Sequence, residues 1–127
     1  MIKQTDPLQN YLKYQNEIDI AIKDVLDSGW YILGKQVKLF EKEFASYLNS
    51  NYSTGVANGT DALELALYAI ETKPDDKVIT VSHTAVATTS AIKRAGADPV
   101  FVDINEKSFN LDPNILNDLL LNWSGKM

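Results

Sequence analysis

From residue 52 to residue 121 the sequence alternates short β-branched runs with stretches of helical period, and that alternation admits few folds. "KVITVS" (77–82) and "DPVFVDI" (98–104) read as buried strands, and "YSTGVA" (52–57) as a shorter β-like run. Between "YSTGVA" and "KVITVS", Ala62, Leu63, Ala66, Leu67 and Ile70 share one face of a helix. Between "KVITVS" and "DPVFVDI", Thr84 to Ala95 reads as a helix ending at Gly96. "TKPDD" (72–76) and "NEKSFNLDP" (105–113) are loops by their Pro, Asp and Asn content, and Asp112-Pro113 caps a last helix through Leu121. Strand, helix, strand, helix, strand is the βαβ unit of an α/β fold, with crossovers long enough for parallel pairing.

The first 50 residues follow a different pattern. Asp6-Pro7 makes an N-cap followed by proline at the first helical position. Leu8, Tyr11, Leu12, Gln15, Ile18, Ile22, Val25 and Leu26 then recur at helical spacing until Gly29. "GWYILG" (29–34) follows, bounded by glycines, and Val37, Phe40, Phe44, Tyr47 and Leu48 mark a second amphipathic helix. The expected organisation is a helical segment over 1–50 and an α/β segment over 51–127. Parallel sheets need helices on both faces, and these two helices are available for that. The chain ends on "NWSGKM", after a helix and without a closing strand, so the α/β domain is expected to be incomplete.

Composition excludes several classes. The net charge is −5, with Lys and Arg scattered, which argues against a nucleic-acid or anionic-membrane surface. The 127 residues contain no Cys and one His, which removes thiol chemistry and makes a His-based metal site unexpected. No apolar run reaches membrane-spanning length and the first residues lack a signal-like apolar region, so the chain reads as cytoplasmic.

The turn "VANGTDALELAL" (56–67) carries the first chemical signal. A helix N-terminus presents unpaired N–H groups and the positive end of the helix dipole. Gly59 would let an anion approach the backbone, and Thr60 would add a hydroxyl donor. Asp61 would repel an anion if turned inward, so its side chain is expected to point away. Asn58-Gly59-Thr60 equally suits a plain tight turn with Asn58 or Thr60 as cap, and without a Walker or GxGxxG motif any anion would be a single phosphate or carboxylate. "SHTAVATT" (82–89) ends the next strand and opens the next helix, placing His83 and Thr84 at the same sheet edge. A flat ring beside a phosphate cradle suits an aromatic cofactor carrying a phosphate, and a loop histidine in solvent is the alternative. Trp30 and Tyr31 read either as an aromatic wall over a pocket or as a plug between helices.

Taken in order, "SGWYILGKQVKLFEKEFASYL", "GVANGTDALELAL", "KVITVSHTAVATTSAIKRAGADPVFVDI" and "FNLDP" resemble the amino-terminal part of the DegT/StrS-type nucleotide-sugar aminotransferases, within the fold-type I pyridoxal phosphate enzymes. The resemblance covers about residues 6–115. It implies the start of a three-layer αβα large domain with a mainly parallel sheet, preceded by two helices, and a small carboxyl-terminal domain beyond this chain. It implies pyridoxal 5′-phosphate as cofactor, with Asn58, Gly59, Thr60 and Asp61 at its phosphate and His83, Ala85 and Thr88 on the ring side. Many members carry an aromatic residue where this chain has Ala85, so His83 is the candidate to cover the ring. Trp30 and Tyr31 are substrate-side candidates. The implied reaction moves an amino group from an amino acid, glutamate in such families, to a nucleotide-linked keto sugar, in amino-sugar and polysaccharide biosynthesis. "SHTAVAT" looks most like members working at C-3 of a deoxythymidine-linked sugar.

The family's Schiff-base Lys and pyridinium Asp lie in segments beyond residue 127, and no catalytic residue is assigned here. Lys35, Lys38 and Lys42 fall on an exposed helix face, Lys73 and Lys77 flank a loop, Lys126 is in the tail, and Asp103 reads as structural. The resemblance thus implies a fragment inactive by itself, with an exposed apolar sheet edge, and a full-length homodimer. Two alternatives stay open: a sugar dehydratase on the same scaffold, and a non-catalytic anion-binding α/β module.

Overall fold

The computed structural model describes residues 4–124; Lys126 and the end of "NWSGKM" lie outside them. The chain divides into two compact units, Met1–Gly55 and Val56–Met127.

The first unit is helical. Helix α1 (Pro7–Lys13) opens with proline at its first position, α2 (Gln15–Ser28) follows, and α3 (Lys35–Tyr47) comes after the glycine-bounded loop. The single helix expected from Pro7 to Ser28 is interrupted at Tyr14. There φ is −118° and ψ 21°, and the N–H bonds to the Tyr11 carbonyl three residues back. The Tyr11 hydroxyl donates to Asp19 across the break (2.9 Å), and this bond to a carboxylate raises the tyrosine's pKa. Gly29 ends α2 in the left-handed region at φ 65°, where a side chain would be strained. Along α3, Phe40, Phe44 and Tyr47 stack in sequence with centroids 5.4 and 6.4 Å apart, yet Ala45 is its one buried residue.

The second unit holds α4 (Gly59–Ala69), β1 (Lys77–Val81), α5 (Val86–Arg94), β2 (Asp98–Val102) and α6 (Pro113–Leu121). Strands β1 and β2 pair in parallel, Lys77 opposite Asp98 through Val81 opposite Val102, with α5 in the crossover. The core sits where α5 meets the sheet: Ala91, Ile92, Ala95, Ala97 and Val102 are buried. Small residues there let helix and strand approach closely. An apolar cavity of about 260 Å³ remains between α4, β1 and α5, lined by Leu63, Leu67, Ile79, Thr88 and Ile92 among others.

Two expectations are corrected. Residues 52–57 form no strand: a strand needs a neighbour to take its N–H and C=O groups, and none pairs with them among the described residues. Gly55 N–H instead donates to the Glu41 carboxylate (2.8 Å) and the Tyr52 carbonyl accepts from the Ser50 hydroxyl (2.9 Å). Helix α5 starts at Val86 rather than Thr84, because Ala85 is extended at φ −66°, ψ 144° and the Thr84 N–H turns back to the Ser82 carbonyl (2.9 Å).

Candidate functional site

The short connection 70–76 returns α4 to the start of β1, so α4 runs antiparallel to the strand with its N-terminus toward the carboxyl edge of the sheet. Arg94, at the end of α5, agrees with this direction. Its carbonyl accepts from the Tyr68 hydroxyl (3.1 Å), and its side chain runs back along α4 to Glu64 (2.7 Å) and Asp61 (3.3 Å). The N-termini of α4 and α5 therefore face the edge where open α/β sheets take their ligands.

At the mouth of α4, Asn58 is extended (φ −164°) and its Oδ1 accepts the Asp61 N–H (2.9 Å), while its Nδ2 donates to the Asp61 carboxylate (3.0 Å). The Asn58 side chain thus caps the helix and is itself held by the Asp61 carboxylate. The first α-helical bond runs from the Ala62 N–H to the Asn58 carbonyl (3.1 Å). The cap uses the Asp61 N–H, so the helix leaves the N–H groups of Gly59 and Thr60 without an intrahelical acceptor. A Cβ built on Gly59 meets nothing within 4 Å, and its φ is not in the left-handed region. Neither backbone strain nor packing within this chain demands glycine there. The Asp61 carboxylate is occupied by Asn58 and Arg94, which offsets its charge beside the turn.

The second cluster follows β1. His83 is exposed in the 82–85 turn, and its ring lies 6.2 Å from that of Phe109 at a 35° tilt. Ala85 occupies the N-cap position of α5 without a side-chain cap, and the Thr84 and Thr88 hydroxyls are hydrogen-bonded at 3.0 Å. Sequence reasoning found His83 and the 105–113 loop but gave no role to Phe109 or Arg94. An aromatic residue in a polar loop gives no local sign of the ring it will meet.

Trp30 and Tyr31 belong to the first unit. Both are mostly exposed, and each is tied to its own loop, Trp30 Nε1 to the Ile32 carbonyl (2.6 Å) and the Tyr31 hydroxyl to the Leu26 carbonyl (3.2 Å). Trp30 walls a groove of about 500 Å³ with Gly34, Lys35, Lys38 and Lys42. Neither a plug nor a buried core residue describes it.

Away from the carboxyl edge, Asp98 at the start of β2 takes both Lys77 and Lys93. Lys77 first, then Lys93, holds its carboxyl at about 2. Among the described residues no group of three or more His, Asp and Glu side chains could hold a metal ion, and no helix is long and apolar enough to cross a membrane.

Comparison with known proteins finds relatives along most of the chain. The family model for the DegT/DnrJ/EryC1/StrS aminotransferases matches residues 13–121. The chain is 46% identical over 113 residues to the dTDP-3-amino-3,6-dideoxy-alpha-D-galactopyranose transaminase of Aneurinibacillus thermoaerophilus, covering 89% of this chain and 31% of that protein. Among solved structures, S. venezuelae DesV superposes with a TM-score of 0.85 at 42% identity, over 89% of this chain and 30% of that one. The Bacillus subtilis protein NtdA, solved with bound cofactor PMP, superposes with a TM-score of 0.80 at 31% identity, over 84% of this chain and 24% of that one. The chain thus spans less than a third of the length of these relatives. With the match running through nearly every described element, the chain belongs to the DegT/DnrJ/EryC1/StrS aminotransferase family.

Proposed function

We propose that this chain is the amino-terminal part of a pyridoxal phosphate-dependent aminotransferase that moves an amino group from an amino acid, glutamate first, to a keto sugar linked to a nucleotide. The observation that carries it is the bare Gly59 at the head of α4, with the Gly59 and Thr60 N–H groups left over from the Asn58 cap. Two backbone donors, the Thr60 hydroxyl and the helix dipole suit a phosphate dianion, each charge-assisted bond contributing on the order of 1.5–3 kcal/mol. Bound there, pyridoxal phosphate supplies an electron sink. Asn58 holds the turn in shape, and Arg94 offsets the Asp61 charge that would oppose the phosphate. His83 offers a flat face at the same edge. Ala85 leaves room beside it, and Thr88 fixes Thr84 in the turn before α5. Trp30 and Tyr31 contribute to the sugar side.

On this reading, residues 51–127 are the beginning of a large cofactor-binding domain and 1–50 a helical segment before it. The whole protein is a cytoplasmic homodimer acting on small molecules, with no nucleic-acid or membrane partner. A dTDP-linked sugar aminated at C-3 is the favoured substrate, in keeping with the transaminase from Aneurinibacillus thermoaerophilus, which is named for such a sugar. The 127 residues by themselves hold the cofactor without turning it over.

The test is calorimetric titration of the chain with pyridoxine 5′-phosphate, which has no aldehyde and so cannot form adducts with surface lysines. The wild type is expected to bind and Gly59→Ala to bind at least about tenfold more weakly, a difference of about 1.4 kcal/mol. Binding indifferent to Gly59→Ala and Thr60→Ala would remove the phosphate reading. For the whole protein, purified from its complete reading frame, glutamate is expected to bleach the visible cofactor band. A frame carrying His where the family has its Lys would mark a dehydratase.

A further inference from the structure

We propose that Phe109 is a positioning residue of this site, its ring setting the plane of the His83 imidazole at the carboxyl edge of the sheet. The inference rests on the reading of His83 as the ring face for the cofactor, and it comes from three observations that reading does not use.

The first is conformational. Phe109 adopts φ 57°, the left-handed region, which is disfavoured for a bulky L-residue. Leu33, Asn49, Glu71 and Asp75 also have positive φ, so the conformation by itself does not single out Phe109; of the five it is the aromatic one. The second is exposure: the Phe109 side chain is 63% exposed, so burial does not offset its strain. The third is its neighbour, the His83 ring at 6.2 Å, inside the range of interacting aromatic pairs. Among the described residues no hydrogen bond holds the imidazole, so the phenyl ring is the contact that orients it.

The loop is built to keep Phe109 in place. The Phe109 N–H donates to the Asn105 carbonyl (2.9 Å), and the Asn105 N–H donates to the Asn110 carbonyl (2.8 Å). Asn105 Oδ1 accepts from the Lys107 and Ser108 N–H groups (3.1 and 3.2 Å), and Asn105 Nδ2 donates to Asp112 (3.1 Å), which caps α6. One asparagine thus closes the turn on both sides and anchors it to a helix. Strain retained at an exposed aromatic, held by a closed hydrogen-bond set and touching a candidate site residue, points to function.

The sequence contains one His, so every imidazole signal in a proton–carbon NMR spectrum of the full chain reports His83. Phe109→Ala is expected to remove the ring-current shift on the His83 Hδ2 and Hε1 signals, and Phe109→Tyr to keep it. Binding of pyridoxine 5′-phosphate should weaken about two- to tenfold in Phe109→Ala and recover in Phe109→Tyr, the range an aromatic pair supplies. Neither variant removes a buried group, so melting of both should match the wild type, and Phe109→Gly should melt higher by relieving the strain. His83 signals unchanged in Phe109→Ala, or moved with no change in affinity, would overturn the proposal. A wild-type chain that binds no pyridoxine 5′-phosphate overturns the phosphate reading instead, and affinity lost in Gly59→Ala but kept in Phe109→Ala overturns the Phe109 role alone.

Discussion

The two units spend their apolar residues differently. In Met1–Gly55 the helices carry clear apolar faces, yet Leu26, Phe40 and Leu48 are each more than half exposed and, among the described residues, Ala45 is the one buried hydrophobic. In Val56–Met127 a pair of parallel strands and the helix between them bury Ala91, Ile92, Ala95, Ala97 and Val102. Periodicity marks the face a helix is ready to bury, while burial itself requires another layer. The strand pair supplies that layer in the second unit, whereas the described residues of the first unit form helices and no strand.

Matched truncations break this contrast most directly. Ile92→Ala should destabilise the second unit by about 2–4 kcal/mol, the cost of emptying a close-packed site, whereas Phe40→Ala in the first should cost under about 1 kcal/mol. Urea unfolding followed by circular dichroism reads both. Equal losses would mean that the first unit has a core of its own.

Glycines sharpen the contrast in a second way. Gly29→Ala forces a side chain into the left-handed region at the end of α2 and should cost roughly 1–2 kcal/mol. Gly59→Ala meets open space in a helical conformation and should stabilise by a few tenths of a kcal/mol up to about 1 while losing the phosphate. A stability gain with a binding loss separates a residue kept for a ligand from one kept for the fold. Thermal melting with and without pyridoxine 5′-phosphate measures both.

Caps come next. Asp112 accepts from the Asn114 and Ile115 N–H groups at 2.8 and 3.4 Å, and Asp112→Ala should cost about 1 kcal/mol. The N-cap of α3 is Gly34, which has no side chain to give, so Gly34→Ala tests packing alone: its Cβ would stand 3.0 Å from the Trp30 carbonyl.

The smallest effect is electrostatic and belongs to the second unit. The Asp98 carboxyl, held at about 2 by Lys77 and Lys93, is depressed in the folded state. Its contribution is therefore present above the unfolded value near 3.9 and is lost as pH falls toward 2. Asp112, lowered by the Asn105 amide and the α6 N–H groups, acts in the same direction. Melting temperature should fall across that window, and Asp98→Asn should flatten part of the slope. A slope unaltered by Asp98→Asn would show that other carboxylates carry it.

Several features were legible in residue order because their causes are local. Asn58-Gly59-Thr60 caps α4, Asp112-Pro113 caps α6, and Gly29 ends α2, each through contacts within a turn of chain. Strands β1 and β2 are β-branched runs flanked by turn residues, and the quoted motifs sufficed to name the family. What the tertiary structure decided depends on distant partners. "YSTGVA" has strand propensity, but among the described residues no strand pairs with it, so it stays irregular. Arg94 reaches Asp61 and Glu64, and Phe109 meets His83, only because folding brings separate segments together. Capping and periodicity act over three or four residues and leave a mark in the sequence. Strand pairing and ring contacts act through space, and no short stretch of residues records them.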